Sequence, residues 1–192
     1  AEVGVVLARM MARPNVASKE WWVRSYDHEV IAQSVIKPFC GANHDAPSDA
    51  AVIAPIQGGT QGLVISNGIA PRYSDIDSYA MAAASVDEAL RNAVCVGVDL
   101  NMIAGLDNFC WPDPVQSAKT PDGRYKLAQL VRANRAIDDV CRAYRLPCIS
   151  GKDSMKNDVT MHGEKISVPP TLLFSLMGNH KDVRKAISSD FK

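Results

Sequence analysis

The sequence lacks a charge excess of either sign: 21 Lys and Arg balance 21 Asp and Glu over 192 residues. Such a chain exerts no long-range pull on a polyanion or an anionic bilayer, which argues against a dedicated nucleic-acid or membrane-surface binder. No apolar run reaches the roughly 18 residues that a membrane-crossing helix needs. The chain also lacks the charged n-region and cleavage pattern of a signal peptide. Its five cysteines, Cys40, Cys95, Cys110, Cys141 and Cys148, are odd in number and form no C-x-x-C pair. Zinc-ribbon and thioredoxin-like readings therefore fail, and reduced thiols in a cytoplasmic protein are expected. His44, His162 and His180 show no metal-ligand spacing. No local Cys–His pattern supports a glutaminase nucleophile within the chain. Internal repeats and low-complexity tracts are absent.

What is present is a chain 47% hydrophobic, enough for a real core. Residues 1–13 read as a helix with Val3, Val6, Leu7, Met10 and Met11 on one face, broken by Pro14 and Asn15. Ser18 reads as the cap of a short helix over 19–26 that contains Trp21 and Trp22. Strands are expected over 30–39, 49–55 and 61–67, with a loop over 40–48 and a turn at Gly58-Gly59. The strongest helix covers 75–96 and ends before Gly97, a residue suited to a left-handed cap. Its run Ala82-Ala83-Ala84 lets another backbone come close. A strand over 102–106 leads into a polar loop, 107–123, with Pro112, Pro114 and Pro121. A second long helix spans about 126–144, followed by a short strand over 147–150 that opens into Gly151. A hairpin around His162-Gly163, a strand over 171–177 and a helix start from Asp182 complete the reading. This order is that of an α+β domain with a mixed sheet and long helices packed on one face.

Few residues carry chemistry on local grounds. In Gly151-Lys152-Asp153-Ser154, the glycine would let backbone N–H groups approach a phosphate, Lys152 would add charge, and Asp153 would offer Mg²⁺ a hard oxygen. The loop is not of the Walker type, because the upstream glycine is missing. A polar turn with a solvated lysine fits the same four residues. Glu88 and Asn92 lie four apart on a helix, with Ser85 three before Glu88, so all three face one way and the carboxylate and amide oxygens can share a Mg²⁺ ion. An exposed polar stripe is the alternative. Asp49, after Ser48 at a strand start, suits a metal ligand, a ribose contact or a turn cap. His28, between Asp27 and Glu29, suits an acid/base group or a salt network. Arg72-Tyr73 suits a phosphate or a partner chain.

Taken in order, several segments resemble one family: Arg13-Pro14-Asn15-Val16-Ala17-Ser18-Lys19-Glu20-Trp21-Trp22 through Tyr26-Asp27-His28-Glu29-Val30, then Pro47-Ser48-Asp49-Ala50-Ala51-Val52, Asp87-Glu88-Ala89-Leu90-Arg91-Asn92, Leu106-Asp107-Asn108-Phe109-Cys110-Trp111 and Ile149-Ser150-Gly151-Lys152-Asp153-Ser154. Pro169-Pro170-Thr171-Leu172-Leu173 closes the set. The chain is similar to the synthetase subunit of formylglycinamide ribonucleotide amidotransferases, also called phosphoribosylformylglycinamidine synthases. The resemblance covers nearly the whole chain.

The resemblance implies a half-barrel of the aminoimidazole ribonucleotide synthetase-like N-terminal domain type over residues 14–179. Residues 1–13 would be the tail of a preceding domain and 180–192 the start of a truncated following one. It implies an ATP-dependent ligase that joins glutamine-derived ammonia to formylglycinamide ribonucleotide. This chain would be a nucleotide- and Mg²⁺-binding half, inactive alone, or a structural half with a vestigial site. By resemblance, Ser48, Asp49, Gly151, Lys152, Asp153 and Ser154 would hold ATP or ADP, and Asp49, Glu88 and Asn92 the Mg²⁺. The implied partners are the remaining synthetase domains and a glutaminase domain or subunit. The fragment, with its sister half missing, is expected to form a homodimer. A free-standing kinase or cyclo-ligase of the same fold is the competing reading, and the stretches 27–29 and 106–111 count against it.

Overall fold

Val64, Ser66 and Gly68 are buried while Ile65, Asn67 and Ile69 between them are exposed or half-buried, the period of two that defines a half-buried strand. The same alternation runs through residues 171–180, where Leu172, Phe174, Leu176, Gly178 and His180 turn inward. These two strands are the middle of the sheet. The computed structural model describes residues 2–26 and 29–190. His28 lies outside the described residues.

The chain divides into two units, residues 1–32 and 33–192. The first holds α1 (Val3–Met11) and α2 (Glu20–Arg24). Neither helix has a buried residue, and Trp21 and Trp22 meet edge to face with ring centroids 4.6 Å apart. The N-cap of α2 is Lys19 and not the expected Ser18, whose hydroxyl accepts from the Glu20 N–H at 3.2 Å one residue outside the helix.

The second unit contains β1 (Ser34–Ile36), β2 (Phe39–Cys40), β3 (Ala46–Pro47), β4 (Ala51–Ile53), β5 (Gly62–Ile69), α3 (Ser78–Cys95), β6 (Ile103–Cys110), α4 (Gly123–Tyr144), β7 (Cys148–Ser154), β8 (Asp158–Met161), β9 (Glu164–Ser167) and β10 (Thr171–His180). Six of these strands form one sheet in the order β1-β4-β5-β10-β6-β7. All neighbours are antiparallel except β6 and β7, which are parallel because α4 crosses over between them. The α+β architecture with a mixed sheet is the one expected. No helix among the described residues is long and apolar enough to cross a membrane.

The helix α3 packs on the sheet with small residues. Ala82, Ser85, Ala89 and Ala93 are fully buried at spacings of three and four. They let its backbone descend onto Gly68, where an added Cβ would lie 1.9 Å from the Ser85 carbonyl oxygen and 2.7 Å from the Ala89 nitrogen. The Ser66 hydroxyl donates to the Ala89 carbonyl at 2.7 Å, so even the polar atom under the helix is satisfied. The second helix, α4, packs against α3. Its partners there include the pair Tyr144–Asp87 at 2.6 Å and the fork of Arg132 on Asp77 at 2.9 Å.

Four further expectations need correction. The strand over 30–39 splits into β1 and β2, because Pro38 has no N–H to give a ladder. The polar residues Asp107 to Cys110 belong to β6 and not to a loop. They are flanked by β10 and β7, and a ladder on both sides overrides their weak strand preference. Gly151 to Ser154 likewise form the second half of β7. Beyond Asp182 the chain makes one 3-10 turn, Val183–Lys185, and returns to extended backbone at Ala186.

Candidate functional site at the free edge of β5

The β4–β5 ladder stops at the pair Ala51–Ile65, although β5 runs on to Ile69. The unpaired edge of Asn67 and Ile69 needs partners, and α3 supplies them from the side. Glu88 Oε2 accepts from the Ile69 N–H at 2.8 Å, and Asn92 Nδ2 donates to the Asn67 carbonyl at 2.9 Å. Two side chains one helical turn apart thus replace a missing strand. Asp49 lies two residues before Ala51, in a bend that leads into β4. Asp49 is exposed, whereas Ser48 is half-buried, with its hydroxyl 3.2 Å from Cys40 Sγ. Glu88 and Asn92 are therefore brought together at the free edge of β5, while Asp49 precedes β4 and is exposed. Ser85 is not with them: it is buried over Gly68, its hydroxyl bonded to the Met81 carbonyl at 2.9 Å.

Residues 151–154 lie elsewhere. β7 stands three strands from β5, roughly 14 Å at about 4.8 Å per strand. Extended backbone also splits the four residues between two faces. Lys152 and Ser154 point to the open face, the lysine amine bonded to the serine hydroxyl. Asp153 points to the helix face, toward Asp107. An extended strand does not converge successive N–H groups on one phosphate, so the expected cradle has no backbone basis here. Gly151 serves a different purpose: a Cβ there would lie 2.9 Å from the Asp107 carboxylate. Arg72 and Tyr73 sit exposed on the 3-10 turn Pro71–Asp75, with Arg72 3.9 Å from Asp75.

The donor set at the β5 edge suits a hard cation. With Glu88 Oε2 and Asn92 Nδ2 engaged, Glu88 Oε1 and Asn92 Oδ1 remain as oxygens that Mg²⁺ accepts, its other positions being filled by further oxygens, water or phosphate. Among the described residues no group of three His, Cys, Asp or Glu side chains could hold a metal, so any site here depends on the amide of Asn92.

The sequence reading missed one titratable pair. Burial, with the neighbouring Asp153 carboxylate adding to it, raises the Asp107 pKa above the ordinary carboxylate range. The pairing arises from the β6–β7 register, Asp107 opposite Gly151 and Phe109 opposite Asp153, across 44 residues that carry no local signal of it.

Residues 47–169 match the family described as AIR synthase related protein, N-terminal domain. The chain belongs to that family. Among similar proteins, the phosphoribosylformylglycinamidine synthase subunit PurL of Deinococcus radiodurans is 34% identical over 191 residues, covering 100% of this chain and 23% of that protein. The chain thus spans about a quarter of the length of the curated relatives it matches. Among solved structures, that of PurLQS from Thermotoga maritima superposes with a TM-score of 0.69 at 21% identity, covering 91% of this chain and 25% of that one. T. maritima PurL complexed with ADP gives 0.66 at 22% identity, with 91% and 26% covered. These structures share the fold of this AIR synthase-related domain.

A raised carboxylate pKa has a definite sign in stability. The folded state holds the Asp107 proton more tightly than the unfolded chain does. Its favourable contribution is complete at low pH and is lost as pH rises through the raised value. Asp107→Asn, which cannot ionise, is therefore expected to raise the urea midpoint near pH 7. At about pH 3, below the unfolded carboxylate pKa, the gain should vanish. An equal gain at both pH values would contradict this.

Proposed function

We propose that this AIR synthase-related domain is the nucleotide- and Mg²⁺-binding half of a phosphoribosylformylglycinamidine synthase synthetase. The observation that carries this reading is the end-to-end identity of 34% with a PurL subunit. The oxygens of Glu88 and Asn92 at the free edge of β5 support it, as does the ADP complex of a PurL of the same fold. In the intact ligase, ATP phosphorylates the carbonyl oxygen of formylglycinamide ribonucleotide. Glutamine-derived ammonia then displaces the phosphate to give the amidine, with ADP and phosphate as the other products. A bound Mg²⁺ offsets charge on the phosphates. Asp49, Glu88 and Asn92 would hold it, and Ser48 would lie beside the nucleotide. Lys152, Asp153 and Ser154, one sheet edge away, would reach the nucleotide only at its far end or through another domain. The chain alone would bind without turnover, in a reducing cytoplasmic setting, and would need its sister synthetase domains and a glutaminase.

A second reading, a structural half with a vestigial site, is favoured by one observation: Glu88 and Asn92 already complete the hydrogen bonding of β5. Calorimetry with ADP separates the two. Glu88→Gln keeps a carbonyl acceptor for the Ile69 N–H but removes the charge. The binding reading predicts Mg²⁺-dependent heat in the wild type and affinity at least roughly ten-fold weaker in this variant. No heat at millimolar ADP with Mg²⁺ would leave only the structural reading.

The open sheet face exposes Ile65, Ile69 and Met177, and β7 has one unpaired edge. Apolar surface beside a free edge favours pairing, so the isolated chain is expected to run as a symmetric dimer. Light scattering that returns the mass of a single chain at high concentration would contradict it.

A further inference from the structure

The last turn of α4 and the first residue of β7 each carry a cysteine, and the fold sets the two sulfurs 3.8 Å apart. The link between them is short and tightly held. Arg145 takes the left-handed conformation at φ 53°, and the N–H of Leu146 bonds back to the Cys141 carbonyl at 2.8 Å. Leu146 is buried, and the Pro147 carbonyl accepts from the Gly105 N–H at 2.8 Å. Cys148 then pairs with Gly105, and the register slips just beyond it. The Leu146 N–H is thus tied to α4 and the Pro147 carbonyl to β6. Cys141 is buried and Cys148 exposed. Both line a cleft of about 640 Å³ together with Arg142 and Arg145, which gives a small oxidant a path to the pair. Among the described residues no other two sulfurs are in contact: Cys40 faces Ser48, and Cys95 is exposed on α3.

We propose that Cys141 and Cys148 are a modification site, a dithiol that a peroxide closes to an intramolecular disulfide, fastening the end of α4 to the edge strand β7. The exposed Cys148 sulfur attacks the O–O bond of a hydroperoxide, giving a sulfenic acid and an alcohol, or water from hydrogen peroxide. The Cys141 sulfur then attacks the sulfenic sulfur. The S–S bond forms, the S–O bond breaks, and the hydroxyl leaves as water with the Cys141 proton. Two thiols are oxidised and one peroxide is reduced. The sulfurs need to close from 3.8 Å to roughly 2.05 Å, a movement that the exposed Cys148 side chain can make at the bulged start of β7. Burial pushes the Cys141 thiol up to about 12 and raises that of Cys148 as well. The thiolate fraction at neutral pH is small and closure is slow. Such thiols gain nothing from ionisation in the reduced state, so the disulfide resists reduction once made.

The test uses the 192-residue chain treated with hydrogen peroxide, then alkylated and digested with trypsin, which cuts at Arg142 and Arg145 between the two sulfurs. The expected product is a chain lighter by two hydrogens, in which the Cys141 and Cys148 peptides are joined and are separated by dithiothreitol. Cys148→Ser, a change at an exposed position, should not form it. Phenylarsine oxide gives a readout that needs no variant. It bridges two adjacent thiols with loss of water, and one molecule should bind per wild-type chain and block the peroxide reaction. Oxidation that ends as sulfinic or sulfonic acid on Cys148, or as a link through Cys95 between chains, with Cys141 still free, would overturn the proposal. So would failure of the arsenical to bind.

Discussion

A methyl group at residue 68 would lie 1.9 Å from the Ser85 carbonyl oxygen, so α3 can rest on β5 only because that position has no side chain. The bonding at the free edge of β5 follows from this contact. With the two backbones so close, Ser66 reaches Ala89, and Glu88 and Asn92 overhang the strand far enough to bond Ile69 and Asn67. The strand edge they occupy is the one that β4 vacates, and Asp49 leads into β4 beside it. A close packing of small residues thus determines where Glu88 and Asn92 meet the strand edge.

The same geometry divides the residues that the family resemblance groups together. Glu88 and Asn92 bond the free edge of β5 and Asp49 leads into β4, while Gly151 to Ser154 lie on the edge strand β7. Within that strand the pleat separates Lys152 and Ser154 from Asp153. Its neighbourhood has a chemistry of its own, with the Asp107 carboxylate held partly out of water and two thiols in contact at the base of α4. A phosphate-binding part for Lys152 requires the nucleotide or another domain to come to the strand.

Much of the fold was legible because it rests on local periodicity. The helix α3, the turn at His162-Gly163 and the strand character of β10 are all written within a few residues of themselves. The polar ends of β6 and β7 were not. Asp107-Asn108 and Gly151-Lys152-Asp153-Ser154 have the composition of loops and become strands because parallel pairing across a helix gives their backbones partners. Glu88 and Asn92 were legible as a pair on one helix face, whereas their bonds to β5 depend on Gly68, 20 residues before Glu88. Ser85 shares their spacing and was misplaced for the same reason: the turn of the helix that touches Gly68 is the one it occupies.

The central claim is that nucleotide and cation meet at the free edge of β5. Amide NMR during titration with ADP, with and without Mg²⁺, tests it most directly. The account predicts the largest shifts at Ser48 to Ala51 and at Asn67 to Ile69, and only when Mg²⁺ is present. Shifts confined to β7, or a spectrum that ADP and Mg²⁺ leave unchanged, would contradict it.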